Sequence, residues 1–344
     1  MFENEQKSLL HSSHFKSAKE IFDIGLASIK SIHSGATRPL VTSIAAENET
    51  TGGLYPTDQM VIVGDNSIGL TSRVICMIDD FLNPEINPTF EDNIVVLYNS
   101  WETADWRNAL KFLSFKSKQT VSELLDIQKQ KETQHITMME SLASKYDRTP
   151  LYINNRPTTG RAWETYTNNI CNKFKDKTII NIVDNTRMLS RVNFTNEESL
   201  ISDFLYLAQN IKNTHKTINI IVSSLKGNGF TKMPSALQKL PTANDVLAQN
   251  AVFGSSDLVL SCYRPGFYGE REFKISPTST VDTGLTQAGR DDDLWIEDFL
   301  KNKYGESRRI YIKHEVKYGR FRSFTDTEKR IKFKTKSIIS TDEY

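Results

Sequence analysis

Apolar and polar residues follow two different periods along the chain. Short, mostly apolar runs recur at Gln59–Val63, Ile94–Tyr98, Leu151–Ile153, Ile179–Val183, Ile218–Val222, Leu258–Cys262 and Arg309–Ile312. Their length and β-branched content predict strands, and their lack of polar alternation predicts burial on both faces. Between them the spacing widens to the helical period, over about 69–81, most of 103–147, 161–173 and 197–213. Strands alternating with helices predict an α/β domain, a mostly parallel twisted sheet with helices on both faces.

A separate helical stretch precedes the first strand. Phe22, Leu26, Ile29 and His33 fall at i, i+4, i+7 and i+11, with Ile21 and Ile32 alongside. Ser17 followed by Glu20 has capping-box spacing, and Gly35 and Pro39 end the helix. Its apolar stripe needs a surface, which its own domain or a neighbouring subunit would supply. Three other segments read ambiguously. Residues 226–250 are glycine- and polar-rich and read as a loop. The acidic stretch Asp291–Leu300 reads as a partner-binding amphipathic helix or as a local insertion. Lys329–Lys336 reads as a solvated basic terminus or as a nucleic-acid arm.

The strand at Gln59–Val63 runs into Gly64-Asp65-Asn66-Ser67-Ile68-Gly69-Leu70-Thr71. This is the spacing of a phosphate-binding P-loop, G-x-x-x-x-G-K-[ST], with Leu70 at the lysine position. Backbone N–H groups around Gly64, Ser67 and Gly69 suit a phosphate cradle, and the Thr71 hydroxyl suits magnesium. Leu70 removes the point charge, and losing one preorganised electrostatic contact typically costs about 10²–10³ in rate. Arg73 lies one turn further on. Helical side chains lean toward the N-terminus, so it is a candidate substitute cation. Asp184, ending an apolar strand, suits a carboxylate that holds magnesium through water. Glu102, just past another strand, suits a base that orients the attacking water. Each carboxylate alone also reads as a helix cap. In sheets of this kind ligands sit at the carboxyl ends of the strands, where all three groups fall.

Bulk composition narrows the picture little. With 344 residues, 38% apolar and 25% charged, the chain is an ordinary globular sequence of one large or two small domains. A net charge of +1 supplies no global field toward nucleic acid or membrane. Cys76, Cys171 and Cys262 are far apart and odd in number, which argues against a disulfide framework or zinc site and fits a reducing cytoplasm. Met1–Glu5 does not begin a signal peptide, and no apolar run is long enough to span a membrane.

The order of these pieces resembles the RecA-like motor domain of DnaB-family replicative helicases, over about residues 17–324. Thr42-Ser43-Ile44 and Thr51-Gly52-Gly53-Leu54 are similar to the family's T-G-F … T-G-G-L lead-in, and Gly64–Thr71 follows as Walker A. Asn99-Ser100-Trp101-Glu102 is similar to S-L-E-M, which implies that Glu102 is the catalytic glutamate. Pro150–Pro157 is similar to P-L-Y-I-D-D-x-P, the most specific match. Ile182-Val183-Asp184 resembles the Walker-B strand, and Asp257–Leu260 with Tyr263-Arg264 resembles D-V-V-L-x-x-Y-R. The resemblance implies ATP or ADP with magnesium as cofactor, a homo-oligomeric hexameric ring or co-assembly with replication proteins, single-stranded DNA as partner, and a linker helix at Ser17–His33 that packs on the adjacent subunit. No counterpart of the family's N-terminal primase-binding domain is expected. Four working positions depart from the family. Leu70 replaces the Walker-A lysine, Leu225 the glutamine sensor, and Lys317, in Glu315–Gly319, the arginine finger. Val246–Asn250 stands where the DNA-contacting L-R-E-S-G loop is expected. An arginine finger is worth about 10³–10⁵ in rate, and lysine lacks its planar fork.

The expected organisation is a flexible stretch 1–16, a linker helix 17–34, a RecA-like domain 35–324 and a basic tail 325–344. Three functions compete. The first is a non-catalytic or weakly ATP-binding assembly or regulatory component of a replication complex. The second is an active 5′–3′ helicase in which the catalytic Glu102, with Asp184 and Thr71, survives and the missing cations are relocated, with Arg73, Lys226, Arg308, Arg309, Lys313 and Lys317 as candidates. The third is an ATP-independent single-strand-binding module using Lys226, Lys232 and Lys239. The asparagine-rich, shortened architecture fits a phage or mobile-element source.

Overall fold

The computed structural model describes residues 16–88, 93–126, 128, 133–144, 146–147, 149–191, 196–227, 240–276, 279–285 and 292–335. The chain divides into two units, Met1–Leu40 and Val41–Tyr344. In the first, helix α1 (Ala18–His33) carries the expected capping box. Glu20 N–H donates to Ser17 Oγ at 3.3 Å, and Ser17 N–H donates to the Glu20 carboxylate at 2.6 Å. None of its residues is buried, and Phe22 is 72% exposed.

The second unit is built on a nine-stranded sheet. After a short helix α2 (Ala45–Thr51) come β1 (Gln59–Gly64), α3 (Leu70–Phe81), β2 (Ile94–Ser100), α4 (Asp105–Ser117), α5 (Val121–Leu124), α6 (Thr133–Ser144) and β3 (Leu151–Asn154). They are followed by α7 (Gly160–Lys173), β4 (Thr178–Asp184), α8 (Glu197–His215), β5 (Ile218–Ser224), α9 (Gln249–Ser255) and β6 (Leu258–Tyr263). Strands β7 (Glu272–Ser276) and β8 (Ser279–Asp282) stand apart from this sheet. Then β9 (Leu294–Asn302), β10 (Arg309–Glu315) and β11 (Arg320–Arg322) complete it, in the order β11-β10-β9-β6-β1-β5-β4-β2-β3. The six strands from β6 to β3 run parallel, and β9, β10 and β11 are antiparallel additions at one edge. Every residue of β1, β2, β5 and β6 is buried, because helices cover both faces of a parallel sheet. This is the mostly parallel α/β architecture that the alternating pattern predicts. Register brings the carboxyl ends together. Gly64 pairs with Ser224 and Ser100 with Asp184, so the loops after β1, β2 and β4 open at one end of the sheet.

Three segments differ from the sequence reading. The acidic stretch within Asp291–Leu300 is not a helix. Leu294–Asn302 is strand β9, lying between β6 and β10 with Leu294, Trp295, Ile296 and Phe299 buried. Its acids resemble a solvated face in sequence because their partners are distant. Glu297 pairs with Arg73, and Asp298 with Arg309 on the neighbouring strand. The basic tail begins as ordered secondary structure, although its helix carries no buried residue. Helix α10 (Asp326–Lys332) leads into β12 (Phe333–Thr335), which pairs with β8, itself paired with β7 in a small separate sheet. The loop read at 226–250 is folded from residue 240 onward. Val246 is buried and bridges Leu225, and α9 follows directly.

Candidate functional site

The loop after β1 has the backbone of a phosphate cradle. Ser67 takes a left-handed φ of 64° and Gly69 a φ of 123°, values that L residues adopt rarely. A side chain at Gly69 would come within 3.0 Å of the His314 ring. The first intrahelical bond of α3 runs from Arg73 N–H to the Gly69 carbonyl, so the N–H groups of Leu70, Thr71 and Ser72 precede it and are available to an anion. Leu70 lies low in this turn. A Cβ on Gly64 would be 3.0 Å from Leu70 Cδ2. The lysine position is thus filled by a methyl group packed against the root of the loop.

A cleft of about 420 Å³ opens over this loop. Its lining includes Ser67, Gly69, Leu70, Thr71, Glu102, Lys111, Asp184, Asn185 and Arg187. The sheet therefore brings Gly64–Thr71, Glu102 and Asp184 together. Thr71 and Tyr98 hydroxyls both hydrogen-bond the Asp184 carboxylate, the latter at 3.0 Å. Burial nevertheless holds Asp184 above the usual carboxylate range, with the two hydrogen bonds opposing it. Glu102 is exposed at the rim, where Asn185 Nδ2 donates to it at 3.0 Å. Among the described residues no three His, Cys, Asp or Glu side chains converge as a metal cage. A magnesium ion here would rely on Thr71, Asp184, water and phosphate oxygens, which is how this small hard cation is usually held. The hydroxyl–carboxylate pair beside an amide-lined turn fits a magnesium nucleotide. The missing point charge at Leu70 does not.

Arg73 does not replace that charge. Its side chain is fully buried away from the cleft, with Nη2 2.6 Å from Glu47 and Nε 2.6 Å from Glu297. A guanidinium taken out of water must be paired, and these two carboxylates fix its direction. A cation that does line the cleft is Lys111 on α4, a residue that sequence reasoning misses. Its Nζ donates to Thr103 Oγ1 at 3.2 Å. Burial pulls its pKa below the ordinary lysine value, while Asp184 and Glu102 pull it back up. The available signal is its spacing, three residues after Asn108, whose side chain is held by Ser100 on the sheet-facing side of α4. Arg187 also lines the cleft but lies 3.8 Å from Glu197.

The remaining sequence-predicted residues lie elsewhere. Lys317 is exposed in the β10–β11 turn and lines a different cavity. Lys226 is exposed, its N–H donating to the Asp245 carbonyl at 2.7 Å, whereas Lys232 and Lys239 lie outside the described residues. Leu225 is buried beside Val246, and Val246 and Ala248 join the core cluster.

With this geometry in place, comparison with known proteins is decisive for the family. The profile of the DnaB-like helicase C-terminal domain matches residues 40–323. The chain belongs to this family. Among solved structures it is similar to an ATPase domain, with 13% identity, 88% of this chain and 98% of that chain covered, and a TM-score of 0.70. It is also similar to a DnaB-like replicative helicase studied for its interactions with primase, with 13% identity, 94% and 71% covered, and a TM-score of 0.69. At this identity the two structures establish the RecA-like fold of the DnaB domain and nothing finer. No curated protein sequence matches.

Proposed function

We propose that this DnaB-like chain is a weakly ATP-binding, poorly hydrolysing component of a replication assembly, acting through ring formation or co-assembly with replication proteins. The observation that carries the reading is Leu70 packed against Gly64, with Arg73 locked between Glu47 and Glu297, so that α3 sends no cation toward the phosphates. The loop amides, Thr71 and Asp184 support retained binding of magnesium ATP or ADP. Ordered burial of Leu225, Val246 and Ala248 supports altered contact with single-stranded DNA. Equilibrium binding of both nucleotides to the purified chain, with turnover and oligomeric mass recorded on the same samples, tests the reading. Binding with little turnover is expected; turnover of about 10 s⁻¹, the ordinary enzymatic level, overturns it.

One observation favours a second reading, an active helicase. Lys111 stands in the same cleft as Glu102, Thr71 and Asp184 and brings positive charge from across the site. On that reading Glu102→Gln abolishes a readily measured hydrolysis; on the first there is little hydrolysis to lose.

A further inference from the structure

Tyr98 and Ser100 are two residues apart on β2, so they share a face of the sheet. Register sets Tyr98 beside Ile182 and Ser100 beside Asp184 on β4. Tyr98 is fully buried, and its hydroxyl donates to Asp184 Oδ2 at 3.0 Å. Its ring meets Phe112 of α4 edge-on at 6.4 Å, a contact that a phenylalanine would reproduce. The hydroxyl therefore matters through what it bonds. Ser100 also meets the phenol and donates to Asn108 Oδ1 at 3.2 Å, and Asn108 Nδ2 donates to the Thr103 carbonyl at 3.2 Å. The Thr71 hydroxyl, at the start of α3, reaches the same carboxylate as Tyr98. Asp184 is thus held from both α3 and β2, and the polar chain beyond Tyr98 ends in the loop that carries Glu102.

We propose that Tyr98 is a positioning residue for magnesium, its hydroxyl fixing the Asp184 carboxylate in the orientation that lets Asp184 and Thr71 hold the ion together. The inference rests on the nucleotide reading and adds to it a residue that does not line the cleft and so acts through Asp184. A carboxylate turns easily about its last torsion, which is broad and roughly two-fold. A buried hydrogen bond to one oxygen removes that freedom. Magnesium demands near-ideal octahedral geometry, so the orientation of each group around it counts. Loss of a group that orients a metal ligand typically costs about 10–100-fold in metal affinity.

Calorimetric titration of ADP into the full chain, once with magnesium and once with EDTA, tests the proposal in the native protein, Tyr98→Phe and Tyr166→Phe. Tyr166 is the control, a tyrosine whose hydroxyl donates instead to Asn99 Oδ1, at 2.7 Å. Magnesium is expected to tighten ADP binding by the native chain. Tyr98→Phe should cut that gain about tenfold, which is about 1.4 kcal/mol, while affinity in EDTA stays within about twofold. Tyr166→Phe should leave both affinities unchanged. A packing role alone would weaken or abolish ADP binding by Tyr98→Phe in both buffers, and that result overturns the proposal. An undiminished magnesium gain in Tyr98→Phe overturns it too, as does native ADP binding that is indifferent to magnesium; both leave nucleotide binding itself in place. No ADP binding by the native chain in either buffer removes the nucleotide reading, and this inference with it.

Discussion

At the scale of single residues, the chain separates charge that holds the fold from charge that faces the cleft. Arg73 belongs to the first kind. Removing one member of a buried ion cluster strands the others, so Arg73→Met should cost about 3–5 kcal/mol in urea unfolding, with Glu47 and Glu297 left unpaired. A loss under about 1 kcal/mol would mean the cluster is not formed. His314 makes a complementary case. Its ring stacks on Phe321 at 4.2 Å, meets Trp295 edge-on and lies beneath Gly69, and neither ring nitrogen has a hydrogen-bond partner among the described residues. Burial, with Arg264 nearby, depresses its pKa to about 3. A histidine whose folded pKa lies below its unfolded value of about 6.5 excludes protons on folding. Its contribution is complete above that value and is lost as pH falls toward 3. His314→Phe keeps the stack and removes the titration. Stability curves across this window should therefore fall less steeply with acid in the variant; parallel curves would rule out the buried neutral imidazole.

At the scale of elements, legibility follows the distance over which the deciding partner lies. Strands β1, β2, β4, β5 and β6 and helices α3, α7 and α8 are readable because a buried parallel strand and an amphipathic helix announce themselves within one run of residues. The cradle, Glu102 and Asp184 are readable because each ends such a run. β9 is not, since Glu297 is neutralised by Arg73, 224 residues away, and Asp298 by Arg309 across a hairpin. Lys111 is hidden similarly: only the packed sheet shows that its helix face looks into the cleft. Capping chemistry, being local, is legible at Ser17 and Glu20. The exposed stripe of α1 carries its own prediction. If this helix joins subunits, as the DnaB likeness leads us to propose, Phe22→Asp should lower the mass seen by light scattering while circular dichroism is unchanged. An unchanged mass would remove α1 from the assembly.

At the scale of the whole molecule, the mixed sheet serves as a platform that gathers P-loop amides, Thr71, Glu102, Lys111 and Asp184 at one end, while the usual lysine is replaced by a leucine that packs inward. Among the described residues no helix is long and apolar enough to cross a membrane. The central claim is that this platform binds nucleotide but lacks the charge to turn it over well. Hydrolysis of magnesium ATP by the native chain and by Leu70→Lys, measured side by side, tests it most directly. Restoring the point charge should raise turnover about 10²-fold from a low native level. Native turnover that is already brisk, and that Leu70→Lys leaves unchanged or lowers, would contradict the account.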